Sequence, residues 1–395
     1  MIPIAVWATI MTVIPGFLAG ALAVQVADEF MVSESVYGWA LGAFFLAATA
    51  GSIGLGRLAQ RVGARSQMIG SLAVSSVASW AIVGAARSFT VFAVLLAVSG
   101  AANSANQSAV NLLLSRADLP RLGLAMALKQ SGMPVAALLG GLAVPAIATT
   151  VGWRWAYAVC AVGALAAILV ISSKVQKDST QEVSVQGKAD RLDSTERDMK
   201  PATPLNSLVR AAIGFGCLAY AAGSLNAWIV SSAVVHSGIS AGRAGLLLSL
   251  GAGGGVAIRL FIGVRLDALR WSPMFGAAGF CLVGTVGVVL LAVANSTVTV
   301  IATTIAFGFG WVWPVFTNFA VVRANRQSAA AATGITQTGV YVGVFSGPLL
   351  SGYLIDWLGY SQMWLVTAAF LAVGAAITWS VAKAFPVDAG QVRSA

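Results

Sequence analysis

This sequence predicts an all-α membrane protein, with twelve transmembrane helices arranged as two pseudo-symmetric halves of six. Three observations carry the prediction. Of the 395 residues, 58% are hydrophobic and 9% charged, whereas a soluble domain carries about 25% charged residues. Apolar runs of about 20 residues, each enough for one bilayer crossing, recur along nearly the whole chain. The second half also repeats landmarks of the first at a constant offset of 207 positions.

Taken in order, the apolar runs place spans at roughly 3–26, 37–56, 67–86, 89–114, 121–149, 154–173, 208–234, 242–265, 273–294, 297–321, 328–355 and 361–384. Residues 1–27 hold no Lys or Arg and so lack the basic flank of a signal peptide; they read as a retained first span. Residues 174–207 carry six basic and six acidic residues among few apolar ones. They read as a solvated linker between an N-terminal half, 1–173, and a C-terminal half, 208–395, that ends in a short tail.

Arg57, Arg61, Arg65, Arg116, Arg121, Arg265, Arg270, Arg323 and Arg326 follow even-numbered spans. Connections after odd-numbered spans hold Arg87, Arg154 and Arg243 beside Asp28, Glu29, Glu34 and Asp356. The positive-inside rule therefore puts the linker and both termini in the cytoplasm of a multi-pass cell-membrane protein. The net charge of +10 is an orientation signal, not a nucleic-acid footprint. Cys160, Cys217 and Cys281 sit in apolar segments at unrelated spacing and read as small core residues, with no metal or disulfide framework.

The repeat aligns without a gap. Ser33 and Gly38 meet Ser240 and Gly245, Gly56 meets Gly263, and Asn111 and Arg116 meet Asn318 and Arg323. Gln130 and Gly132 meet Gln337 and Gly339, and Gly152 meets Gly359. Two six-span parallel repeats are a transporter architecture, with the substrate site near midplane between the halves.

Gly56-Arg-Leu-Ala-Gln-Arg-Val-Gly-Ala-Arg65 resembles the loop signature Gly-x-x-x-Asp-Arg-x-Gly-x-Arg/Lys of the major facilitator superfamily, with an echo at Gly263-Val-Arg-Leu-Asp267. With the spans, repeat and linker, the resemblance covers essentially the whole chain. It implies alternating access by two rocking halves, with Gly56, Arg57, Arg61, Arg65, Gly263 and Asp267 as the gating loops. Gln60 stands where the family usually has an Asp that latches the cytoplasmic side, so that latch is weakened or relies on Asp267. On physical grounds alone, the glycines allow a tight turn and close helix approach, and the arginines anchor at an anionic leaflet.

The Gly-x-x-x-Gly-Pro-x-x-Gly-Gly pattern of drug antiporters is incomplete in the fifth span, which has Gly140-Gly141 only. Something close to it appears at Gly343–Gly352 in the eleventh. Arg259-Leu-Phe-Ile-Gly263 resembles the Arg-x-x-x-Gly of monocarboxylate and oxalate–formate transporters, where the arginine binds a carboxylate. The run Lys129-Gln-Ser-Gly132 is similar to the cyanate and nitroimidazole porter branch. Nitrate porters usually carry a second arginine in the second span, where this chain has Ser52.

All thirteen acids fall in connections or tails, whereas Lys129 and Arg259 are embedded in the fifth and eighth spans. A cation within a span is costly and by default functional. In the superfamily's architecture these two spans face each other, so two converging cations without a buried acid would repel. An anion between them relieves the repulsion. Asn106 in the fourth span, Gln130 and Gln337 at matching places, and Asn226 would orient the polar part of a substrate. Trp228, Trp313 and Tyr341 would form an apolar wall. Trp39, Trp153, Trp357 and Trp364, nearer span ends, read as an interfacial belt.

No nucleophile–base or metal-ligand constellation appears, so neither an enzyme nor a cofactor is expected. The expected partners are the lipid bilayer and a small anionic substrate, such as a carboxylate, taken by a monomer through antiport or uniport. The alternative is efflux of amphipathic drugs.

Overall fold

The computed structural model describes residues 2–115, 122–174 and 201–386. Most of the expected linker, the final tail residues, and Arg116 and Arg121 lie outside the described residues. Among the described residues all regular structure is helical. The first span is Ile2–Ala21, the second Glu34–Val62, the third Ala64–Ala85, the fourth Phe89–Ser115 and the sixth Arg154–Lys174. The fifth, Leu122–Ala143, continues through a π-turn at Val144–Ala148, and the seventh, Leu205–Ser231, through one at Ser232–His236. The eighth is Ala241–Leu266, the ninth Pro273–Leu290, the eleventh Ala329–Leu358 and the twelfth Tyr360–Val381. The tenth is broken: Ser296–Ile305 runs into a π-turn at Ala306–Gly310 and resumes at Trp313–Ala324. Among the described residues eleven helices are long and apolar enough to cross a bilayer, and twelve if the bent pair Ala23–Phe30 and Glu34–Gly51, at 120°, counts as one span.

Two boundaries differ from the sequence reading. The first helix ends at Ala21, and Ala23–Phe30 forms a separate helix closed by Met31 in the left-handed conformation, φ 52°. The second helix runs on to Val62, so Gly56 and Arg57 lie inside it rather than at a turn. The reversal comes at Gly63, whose φ of 81° is a conformation glycine adopts without steric cost.

The third, sixth, ninth and twelfth spans turn apolar side chains outward, among them Val77, Leu169, Val286 and Val373. The first span's most apolar window is 78% buried, because its neighbours surround it. Gln67 ties the N-terminal half together, donating to the carbonyls of Leu55 in the second span and Ala105 in the fourth, both at 2.9 Å. Between halves the main contacts join the fifth span to the eighth and the second to the eleventh.

The repeat is physical as well as textual. Gly152 and Gly359, at φ 104° and 84°, make equivalent turns into the sixth and twelfth spans. Ser33 and Ser240 are extended residues that precede the second and eighth helices.

At the end carrying the connections after odd-numbered spans, here the odd-loop end, the halves are in close contact. A Cβ placed on Gly245 would lie 2.5 Å from the Gly141 carbonyl oxygen, so these spans meet backbone to backbone. The equivalent pair, offset by 207, is Gly38 against the Pro348 carbonyl at 2.9 Å. Ser35 donates its N–H to Asp356 at 3.1 Å, Trp39 its indole N–H to the Tyr353 hydroxyl at 3.0 Å, and Tyr360 its hydroxyl to Glu34 at 3.4 Å. Each of these bonds crosses from one half to the other.

Candidate functional site

Lys129 is half-buried in the fifth span. Its ammonium donates to the Asn111 side-chain oxygen in the fourth span through a short hydrogen bond. The C-terminal half makes nearly the same link: Gln337 donates its amide N–H to the Asn318 oxygen at 2.8 Å, between the eleventh and tenth spans. Asn111 and Asn318 are repeat mates, whereas the donor moves by one register position, since Lys129 aligns with Thr336.

Arg259 is 2% exposed. Its guanidinium donates one Nη1–H to the Gln130 carbonyl at 2.8 Å, across the boundary between halves, and an Nη2–H to the Trp311 carbonyl in the tenth span. It also lies over the Trp311 ring, 4.9 Å from the centroid. Both acceptors are carbonyls that have lost their helical partners. Gln130 would ordinarily accept from the residue four places on, which is Pro134, inside the helix and without an N–H. Trp311 sits at the break of the tenth span, where the Val315 N–H bonds to Val312 instead. Arg259 thus bonds to the backbone of the residue next to Lys129 in the chain, while the Lys129 ammonium bonds to Asn111 in the fourth span. Among the described residues no carboxylate pairs with either cation; the ion pair seen, Arg154–Glu29, lies at the odd-loop end.

Several polar groups within the spans are buried without a protein partner. They are both amide atoms of Asn106, the Oδ1 of Asn226, the indole N–H of Trp313 and the Nε–H of Arg259. Buried polar atoms are nearly always satisfied, so such a set asks for an explanation. Asn106 and Trp313 are repeat mates at the 207 offset. Asn226 spends its amide N–H on its own helix, at the Ala222 carbonyl, 2.8 Å away.

Trp228 is placed differently from this group. It is 1% exposed and donates to the Pro348 carbonyl at 3.0 Å, within the odd-loop contact between halves. Tyr341 is exposed on the eleventh span. Two of the four belt tryptophans are corrected. Trp153 donates to Glu29 at 2.6 Å and Trp364 to the Ser232 hydroxyl at 2.8 Å, and both are buried in protein because each indole finds a fixed acceptor. Trp39 and Trp357 are exposed as the belt reading requires.

The gating-loop residues lie at the opposite, even-loop end. Arg65 donates to the Ser172 carbonyl at 2.8 Å, on the last turn of the sixth span, where cations are favoured. Arg61 is exposed, Gly263 is buried, and Asp267 terminates the eighth helix. The side-chain surroundings of Gly56 and Arg57 lie outside the described residues.

Sequence reasoning missed the role of Pro134. Its signal was present: a proline four positions after Gln130 frees that carbonyl within a span.

A bundle of this size, sealed between its halves at one end and holding cations at mid-span, is a multi-pass membrane transporter. The pattern of the Major Facilitator Superfamily matches residues 5–345, and the chain belongs to that superfamily. Among solved structures it is similar to a bacterial homolog of the human lysosomal transporter Spinster, solved in an inward-facing and occupied conformation. The TM-score is 0.72 at 12% identity, over 97% of this chain and 96% of that one, a likeness of fold. A search of curated proteins returns no match.

Proposed function

We propose that this transporter moves a small organic anion of the carboxylate type by alternating access of its two six-span halves. The observation that supports it is that Arg259 bonds to the fifth span at the residue next to Lys129. Lys129 bonds to an amide oxygen and Arg259 to backbone carbonyls, with no carboxylate partner for either among the described residues. Neutral acceptors satisfy hydrogen bonds but leave the charge uncompensated, and an anion supplies that compensation. The unpartnered donors of Asn106, Trp313 and Arg259 would then turn toward the substrate's oxygens, with Gln130, Gln337, Asn226 and Tyr341 shaping the remainder.

In this reading the termini and linker are cytoplasmic and the odd-loop end faces outward. The closed contacts at Gly141–Gly245 and Gly38–Pro348 then make this an outward-closed state. Trp228 helps to seal it. Arg57, Arg61, Arg65 and Asp267 would latch the opposite end in the other half of the cycle.

The test is counterflow in proteoliposomes, comparing small carboxylates, cyanate and lipophilic cations with and without a pH gradient. Carboxylate exchange lost in Lys129→Gln, with the protein still folded, is the expected result. Wild-type exchange by that variant, or transport of lipophilic cations alone, would overturn the reading.

A further inference from the structure

Pro134 carries more of this site than its place in an apolar helix suggests. A proline inside a helix removes a backbone hydrogen bond and crowds the preceding turn, yet Pro134 is buried in the fifth span with no break in the helix from Leu122 to Ala143. What it removes is the N–H that would close on the Gln130 carbonyl, and that carbonyl is where Arg259 donates at 2.8 Å. The other acceptor, the Trp311 carbonyl, is freed by the break in the tenth span. Arg259 is therefore tethered at two separate helix defects, one in each half of the molecule. Its Nε–H remains buried without a partner.

We infer that Pro134 is a positioning residue for Arg259: by withholding one backbone N–H it creates the acceptor that parks the guanidinium at the Gln130 carbonyl until a substrate takes it. The inference rests on the reading of Arg259 as an anion-binding group for its significance, but the tether itself is testable without any substrate. Parking holds the cation at the boundary between halves while the site is empty, and the carbonyl is a weaker acceptor than a carboxylate. An arriving anion then displaces a neutral acceptor instead of breaking an ion pair.

The experiment uses the full chain in liposomes and phenylglyoxal, which modifies free arginine side chains, with labelling at Arg259 read by peptide mass spectrometry. Pro134→Ala restores the N–H and lets Gln130 bond within its own helix. Arg259 labelling is expected to rise roughly tenfold or more, the population change for losing one hydrogen bond from a charged donor. The exposed Arg61 should label unchanged.

The decisive companion places the α-hydroxy analogue of alanine at 134, so that an ester replaces the amide and no N–H returns. Labelling at the wild-type rate is expected there. Equal labelling in Pro134→Ala and wild type, or an ester variant that behaves like Pro134→Ala, overturns the inference. Wild-type labelling of Arg259 as fast as that of Arg61 overturns it without any variant. A tether that behaves as expected in a protein moving no carboxylate would refute the proposed substrate and leave Pro134's role standing.

Discussion

The two halves share a scaffold, and at two matched links between their helices the charges differ. At mid-span the fourth-to-fifth link is Lys129 to Asn111, and its counterpart is the neutral Gln337 to Asn318. At the odd-loop end, Arg154 pairs with Glu29 at 2.5 Å, donates to the Ala86 carbonyl at 2.9 Å and stacks on Trp153, 4.4 Å from the ring centroid. Shifting these positions by 207 gives His236 for Glu29, Tyr360 for Trp153 and Ser361 for Arg154. In the structure Ser361 donates to the Ala292 carbonyl at 2.8 Å and lies 3.3 Å from the His236 ring nitrogen. The two halves keep the same geometry and do not keep the same charges. Where the scaffold is common and the chemistry is not, the difference serves a role particular to one half. At mid-span that role is the proposed anion site, and at the odd-loop end it is a clamp.

Four substitutions break or sharpen that comparison. Lys129→Gln makes the N-terminal link neutral like its counterpart. Carboxylate exchange should fall by roughly 30-fold or more, the scale for removing one member of a buried charged contact; counterflow rates measure it. Next, Gly245→Val pushes a branched side chain into the Gly141 backbone and should cost about 1–3 kcal/mol in the closed odd-loop contact, as overpacking does. Spin labels at Thr150→Cys and Arg243→Cys should then report longer distances, and a distribution matching the glycine parent would contradict the seal.

Glu29→Gln removes the clamp's anion, worth under about 1 kcal/mol for a partly exposed pair. Burial raises the Glu29 carboxyl, but hydrogen bonds from Arg154 and Trp153, with the Arg154 charge, outweigh it and hold the group below the ordinary carboxylate range. Its contribution is therefore complete above the unfolded value near 4.5 and is lost as pH falls through the lowered one. Thermal melts of wild type should show that loss at acidic pH, and the Glu29→Gln melts should lack it. Smallest of all, His236→Gln should shift the melting temperature at pH 7 less than Glu29→Gln does, because the His236 contacts are long ones of 3.3 Å, to a carbonyl and a hydroxyl.

Much of this is legible in the sequence. Spans are set by the length of apolar runs against bilayer thickness, a local quantity, and the repeat offset exposes the partners Gly38 with Gly245 and Gly152 with Gly359 before any coordinate. Asn111 and Lys129 each stand out in the sequence, but their bond does not, because it joins side chains on different helices. Gly56 reads as the turn, since a glycine in a span serves either packing or reversal and the sequence does not distinguish them. Trp153 and Trp364 read as belt residues because their acceptors, Glu29 and Ser232, lie far off in the chain.

The sequence by itself determined the membrane class, the twelve spans, the two-fold internal pattern and the embedded cations, all of which follow from the cost of placing polar groups in lipid. Tertiary structure alone decided what those cations touch. That Pro134 strips a carbonyl is a covalent fact, visible in a string of letters. That Arg259 answers it depends on how the fifth and eighth spans pack across the boundary between halves, and packing is settled by shape and distance among residues remote in sequence.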